Sequence, residues 1–289
     1  MKVCGACGKR FDSLGWTCPA CYHTPKLIED YLAFAPELAA ANDGFEKSDF
    51  AQLARLEAGN FWFRSRNRLI IWTLQRYFPQ AKTFLEIGCG TGFVLSGIEQ
   101  ALPKLTLYGS EIFTTGLGFA KGRLSKAELF QIDARKIPFE NEFDLIGAFD
   151  VLEHIKEDDI VLGQMYQALH NNGGIIITVP QHPFLWSQAD DCARHVRRYR
   201  AQELKTKVER AGFKVIRMTS FVSLLLPLMF LSRWQQRRPN LEYDATSELR
   251  ISGWINKILE NILDLERIII CLGFSFPAGG SLLLIARRS

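Results

Sequence analysis

From Lys82 onward the chain alternates short apolar runs, rich in β-branched and aromatic residues, with longer amphipathic stretches. The runs at 83–88, 105–110, 128–132, 143–149 and 174–179, and again at 213–218 and 281–286, read as strands. Helical spacing of apolar residues marks the segments 91–102, 114–125, 156–170 and 201–211 between them. This pattern predicts an α/β domain over 81–289, a mostly parallel sheet covered by helices on both faces. Ahead of it, residues 29–80 read as a helical linker and N-terminal helices, through the cluster Phe61-Trp62-Phe63 and the stretch Asn67–Phe78 before Pro79. Residues 1–28 differ in kind, with paired cysteines separated by Gly5, Gly8, Gly15 and Pro19.

The alternation breaks once, at about 222–280, before the last strand. The break opens on the apolar run Phe221–Leu231, with Arg233, Arg237 and Arg238 just beyond it. A second helix is expected over about 251–272, with Ile255, Ile258, Leu259, Ile262, Leu263 and Leu265 on one side. Two such helices complete a core, form a homodimer surface or a lid, or rest as a peripheral contact on a membrane. The run is far short of the ~20 apolar residues that span a bilayer. No apolar leader follows Met1, so the expected location is cytoplasmic, with peripheral membrane contact as the variant.

Composition changes this picture little. Among 289 residues, 47% are hydrophobic and 12% aromatic, which excludes wholesale disorder. A net charge of +4 gives nucleic acid no strong electrostatic claim on the chain. Cysteine placement says more. Cys4-x-x-Cys7 and Cys18-x-x-Cys21, ten residues apart, present two tight turns whose four thiolates close a tetrahedral Zn2+ shell. Such a shell leaves no open position for water, so the site reads as structural. Thiol redox chemistry is the alternative, although its Cys-x-x-Cys normally opens a helix. The module is similar to zinc ribbons in general.

The densest signal is Phe84-Leu85-Glu86-Ile87-Gly88-Cys89-Gly90-Thr91-Gly92, where a strand ends in three alternate glycines before a helix. Bare backbone and the orphan N–H groups of a helix start favour close approach of a ligand. A dinucleotide fingerprint requires a small residue where this chain has Phe93, which weakens that reading. The stretch instead resembles class I S-adenosylmethionine-dependent methyltransferases, in which Glu-x-Gly-x-Gly-x-Gly closes the first strand. The resemblance runs in order from Asn67 to Ala286, within a bacterial small-molecule or lipid-type subgroup. It implies a Rossmann-like, seven-stranded sheet with S-adenosyl-L-methionine as cofactor. Glu86, Gly88, Gly90 and Gly92 would then surround the amino-acid end. Glu111, twenty-three residues after Gly88, would accept from the ribose hydroxyls. Asp133 and the backbone of Ala134 would meet the adenine, and Asp150, ending Phe143–Asp150, would face both cofactor and acceptor.

Acceptor chemistry is expected in the loops that follow. His154, His182 and His195 are the candidate bases, needed only where the acceptor must lose a proton. For His154 the alternatives are a divalent ion shared with Glu153 and Asp150, or a purely structural turn. Trp186, Arg197, Arg198 and Tyr199 are candidate substrate contacts, the arginines suiting a phosphate or carboxylate. Alternatively, Asp190 and Asp191 pair with Arg197 and Arg198 to latch a lid. The leading reading is methyl transfer to a small-molecule or lipid-linked acceptor. RNA methylation with the ribbon as grip, and a non-catalytic cofactor-fold binding protein, are the competing readings.

Overall fold

The computed structural model describes residues 1–39, 47–235 and 250–288. Two short strands, β1 (Lys2–Val3) and β2 (Arg10–Phe11), pair antiparallel to frame the cysteine module. Then come the hairpin β3 (Lys26–Ile28) and β4 (Tyr31–Ala33), and the helices α1 (Lys47–Leu56) and α2 (Phe61–Tyr77). The alternating part consists of β5 (Thr83–Ile87), α3 (Phe93–Ala101), β6 (Thr106–Glu111), α4 (Thr114–Arg123), β7 (Glu128–Gln131), β8 (Phe143–Phe149), α5 (Asp158–Ala168) and β9 (Leu169–Pro180). After α6 (Gln188–Cys192), α7 (Ala201–Arg210) and β10 (Phe213–Phe221), the break holds α8 (Leu226–Gln235) and α9 (Gly253–Cys271), and β11 (Ser281–Arg288) ends the sheet.

Every strand expected from the alternation is present, in the order β10-β11-β9-β8-β5-β6-β7, with β11 antiparallel to both neighbours. This is the α/β, seven-stranded sheet that the resemblance implies. Two further strands lengthen it: β4 pairs parallel with β7, Leu32 opposite Phe130, and β3 closes the edge. The region 29–80 is therefore not purely helical. Three residues of strand are too few for a period-2 pattern to register, and β4 is held by its neighbour β7.

The sheet separates two apolar cores. One joins Leu85, Ile87, Ile146 and Ile177 to Val161, Leu162 and Leu204 of the helices, and the other joins Phe84, Leu145 and Leu283 to Ile70, Leu95 and Leu117. The cysteine module docks beside β7 and β4. Trp16 meets Phe34, Phe130 and Phe139 edge-on at 4.6–5.9 Å, and the Val3 N–H donates to Pro138 O at 2.9 Å.

The insertion is anchored through α9, which lies on α2. Glu260 takes Arg64 at 2.8 Å and Arg68 at 2.6 Å, while Asn256 caps the chain at Phe61 and Gly59. Leu263 and Ile270 enter the core, whereas Trp254, Leu265 and Leu272 stand exposed, as do Leu228, Phe230 and Leu231 of α8. The insertion thus completes the core on one side and leaves apolar surface on the other. Arg237 and Arg238 lie outside the described residues. Among those residues, no helix is long and apolar enough to cross a membrane.

Candidate active site

In open α/β sheets, ligands bind beyond the carboxyl ends of the strands, where the strand order reverses. Here that point lies between β5, β6 and β8, and the glycine loop occupies it. The three glycines have different tasks, though all adopt left-handed φ angles of 51° to 74°. A Cβ at Gly88 would lie 2.6 Å from Val151 Cγ2, and one at Gly92 would lie 2.9 Å from the Cα of Ala120. Those two positions let neighbouring chain pack closely. A Cβ at Gly90 would meet nothing within 4 Å, so this stretch of bare backbone faces open space.

Two buried carboxylates face the loop. Glu111 accepts N–H bonds from Ile112 (2.8 Å) and Phe113 (3.2 Å) at Oε1 and from Gly90 (3.0 Å) at Oε2, which leaves Oε2 a lone pair for a further donor. Burial pushes its carboxyl above the usual range and the three N–H groups oppose that. Glu86 is 2% exposed and its Oε2 has no hydrogen-bond partner; burial raises it well above the ordinary value. An orphaned buried oxygen beside an open glycine and a partly satisfied carboxylate suits a cofactor with an amino-acid end and a ribose. Asp133, past β7, is held by its own neighbour Arg135 through NH2 at 2.8 Å, and Ala134 is buried beside it. Of these eight residues, Glu86, Gly88, Gly90, Gly92 and Glu111 gather at the loop after β5, while Asp133 is engaged by Arg135 and the Asp150 carboxylate is ion-paired with Arg66 of α2.

Three elements that the sequence reading did not single out complete the seat. Glu57, just after α1, accepts from the Thr91 hydroxyl at 2.7–2.8 Å and pairs with Arg123 of α4 at 2.6 Å. Phe50 of α1 reaches 2.9 Å from where a Cβ on Gly116 would stand. Arg66 is 8% exposed, and its guanidinium lies 4.4 Å from the Trp62 ring. The available signal was an arginine on the apolar face of α2, between Phe63 and Ile70; nothing local pointed to Glu57.

The loop from Gln181 to Arg200 places the acceptor candidates very unevenly. Arg198 is 7% exposed and binds Asp190 at 2.8 Å and Gln181 O at 3.2 Å. Tyr199 is fully buried, its hydroxyl donating to Asp158 at 2.6 Å, and Arg197 pairs with the same Asp158. These three side chains are engaged within the fold and do not form an open acceptor clamp. The latch is half as expected: Asp190 does hold Arg198, but Arg197 goes to Asp158, and Asp191 accepts from the Trp186 indole at 2.9 Å. Trp186 remains 38% exposed. Of the imidazoles, His182 stacks on Phe184 at 4.8 Å, apart from the other two. His154 and His195 meet edge to face at 4.7 Å. Burial and the neighbouring His195 hold His154 down at about 4.

In the cysteine module, Sγ of Cys4 and Cys21 are 3.6 Å apart, and those of Cys7 and Cys18 are 3.7 Å apart. All four lie within 4.8 Å of one another. A tetrahedron of ~2.3 Å Zn–S bonds has edges of about 3.8 Å, so the thiolates fit that ion. The two turns also match each other, Gly8 N–H bonding Cys4 O and Tyr22 N–H bonding Cys18 O, both at 2.9 Å.

A methyltransferase-domain family matches residues 59–218, more than half of the chain. The chain belongs to that family. The match begins at Gly59 and closes within β10, so the domain includes α2, the glycine loop and the Gln181–Arg200 loop. Curated relatives include phosphoethanolamine N-methyltransferase 2 of Caenorhabditis elegans, 24% identical over 63% of this chain and 45% of that protein. Another, from Mycolicibacterium smegmatis, is described as a probable S-adenosylmethionine-dependent methyltransferase and is 21% identical over 54% of this chain and 60% of that one. The chain thus spans less than two thirds of the length of these relatives. Among solved structures, the Haemonchus contortus phosphoethanolamine N-methyltransferase 2 bound to S-adenosyl-L-methionine aligns with a TM-score of 0.57. It is 17% identical, over 86% of this chain and 58% of that one. At this identity the likeness concerns the fold of the methyltransferase domain.

Proposed function

We propose that the chain is an S-adenosylmethionine-dependent methyltransferase acting on a small-molecule or lipid-linked acceptor. The observation that carries this reading is the open backbone at Gly90 between Glu86 and Glu111, in a chain whose family is that of methyltransferase domains. When bound, the cofactor supplies an electrophilic methyl group on a sulfonium. Around it, Glu86 and the glycine loop hold the amino-acid end, Glu111 the ribose and Asp133 with the Ala134 N–H the adenine. Because the sulfonium is already a good leaving group, the residues past β8 and β9 mainly position the acceptor and exclude water. The exposed apolar sides of α8 and α9 support a lipid-linked acceptor or peripheral contact with a membrane surface.

We assign residues 1–28 as a structural zinc ribbon, with Cys4, Cys7, Cys18 and Cys21 as ligands. Its four protein donors leave the ion no catalytic position. Radiolabelled cofactor incubated with cell extract, then fractionated into lipid, RNA, protein and small molecules, tests the acceptor class. Label in the lipid or small-molecule fraction is expected; label confined to RNA would refute the assignment.

A further inference from the structure

Between β7 and β8, residues 132–142 form no helix or strand, and this loop opens with Asp133 and Ala134, the pair assigned to the adenine. Part of it is fastened to the domain. Ile132 N–H donates to Glu111 O at 3.1 Å, and Ile137 N–H donates to Gln164 Oε1 of α5 at 2.9 Å. The rest is fastened to the cysteine module. Val3 N–H donates to Pro138 O and Glu140 N–H to Met1 O, both at 2.9 Å, while Lys2 and Phe139 form a β-bridge. Lys136 Nζ donates to Gly5 O at 3.1 Å, and Arg10 is ion-paired with Glu140. Trp16 packs edge-on against both ends of this connection, 5.3 Å from Phe139 in the loop and 5.9 Å from Phe130 in β7.

Gln131, the last residue of β7, extends the connection to the other turn of the nucleoside seat. It is fully buried, accepts from Ala35 N–H at 3.0 Å, and donates to Ala35 O at 2.8 Å and to Ile112 O at 2.9 Å. Ile112 is the residue whose own N–H binds Glu111. The chain leading out of the module therefore touches both turns expected around the nucleoside. Phe34 N–H also donates to Gln131 O at 2.9 Å, and its ring lies 4.6 Å from that of Trp16. Backbone without ladder hydrogen bonds opens locally unless packing holds it. Here that packing comes from chain ahead of residue 59, where the methyltransferase-domain match begins, so the support is an addition to that domain.

We propose, resting on the cofactor reading above, that the cysteine module positions the adenine end of the cofactor, with Trp16 as the positioning residue. In this role the module touches no atom of the cofactor. It holds Asp133 and the Ala134 N–H where the ring meets them, so that binding need not order the loop. Freeing Phe139 from Trp16 transfers that ordering to the binding step. Fixing the backbone of a single residue then costs about tenfold in affinity.

Calorimetry on the full chain tests this with S-adenosylmethionine and with 5′-methylthioadenosine, which carries the nucleoside without the amino-acid end. Trp16→Ala should weaken both by about tenfold, whereas Trp16→Phe, which keeps a ring there, should retain most of the affinity. Hydrogen exchange of the amides of 133–137 should quicken in Trp16→Ala and slow again when cofactor is added. Val208→Ala is the control, a buried site on α7, which packs on β10 and β11 at the opposite end of the sheet from β7. It should lower the melting temperature and leave both affinities unchanged. Near-UV circular dichroism establishes which variants fold. If Trp16→Ala does not, the double variant Arg10→Ala with Lys136→Ala, both exposed, carries the test with an expected loss of about threefold. Wild-type affinity in the folded variant that carries the test overturns the positioning role, as does an equal loss in Val208→Ala. Wild-type protein that binds neither compound refutes the cofactor reading itself, and the positioning role with it.

Discussion

Substituting the loop glycines should separate folding from binding. At Gly90 the only structural obstacle is the backbone, because φ is +51° and a Cβ meets nothing within 4 Å. The left-handed region costs an L-residue about 1–2 kcal/mol, so Gly90→Ala and Gly90→Arg should both fold with a modest loss of stability. For a chain of this size that is a fall in Tm of several degrees. The arginine side chain, however, must enter the open space that the cofactor needs, and affinity should fall at least 100-fold, about 2.7 kcal/mol. At Gly92 the order reverses. A Cβ there lies 2.9 Å from Ala120 Cα as well as carrying the φ penalty, so α4 must shift. Overpacking adds about 1–3 kcal/mol, and Gly92→Ala should therefore be the least stable of the three while still offering an unblocked seat. Thermal melts and isothermal calorimetry with S-adenosylmethionine read both quantities. A folded Gly90→Arg protein with wild-type affinity would place the cofactor elsewhere and refute the loop assignment.

Zinc analysis should find one ion per chain, and Cys18→Ser should reduce it to none with a lower melting temperature, because Trp16 packs its module against Phe130 and Phe139. Asp133→Ala should weaken cofactor binding by about tenfold, roughly one charge-assisted hydrogen bond, in calorimetry; unchanged affinity removes Asp133 from the site. Glu260 gives a pH prediction. Arg64 and Arg68 hold its carboxyl down at about 2, below the unfolded value of about 4.3. Its stabilisation is then complete above about pH 5 and lost as pH falls toward 2. Urea midpoints between pH 2 and 6 should fall less steeply for Glu260→Gln than for the wild type.

The parallel sheet was legible because each of its strands is an apolar run bounded by turns, and two-faced burial needs no finer pattern. Glu86, Gly88, Gly90 and Glu111 were legible for a related reason. They are close in sequence to strand ends, and strand ends converge in this fold. What escaped is what depends on distant chain. Strand β4 carries three residues and is fixed by pairing to β7. Glu57 reaches Thr91 and Arg123 across 34 and 66 residues, and its own surroundings hold no motif. Strand β9 begins at Leu169, ahead of the apolar run at 174–179, because β8 recruits a polar stretch that no hydrophobic pattern marks.

The loop from Gln181 to Arg200 shows the same limit in its chemistry. Two arginines next to a tyrosine suit an anion clamp when read in line, and neighbouring Asp190 and Asp191 suit a latch equally well. The structure divides them by distance along the fold. Asp158, at the start of α5, lies close enough to take both Arg197 and the Tyr199 hydroxyl, while Lys207 of α7 binds its other oxygen at 2.8 Å. Asp190 is then left for Arg198 and His195. With both guanidiniums neutralised by buried carboxylates, an anionic acceptor would have to break an existing pair before it could use either one. Phe184 and Trp186 remain exposed beside them, 58% and 38% respectively, and Phe184 lies 6.4 Å from Phe230 of α8. That aromatic rim continues into the apolar side of the insertion. On the proposed methyl-transfer reading, it would offer contact area to an uncharged or lipid-bearing acceptor, without the desolvation that an anion would incur there.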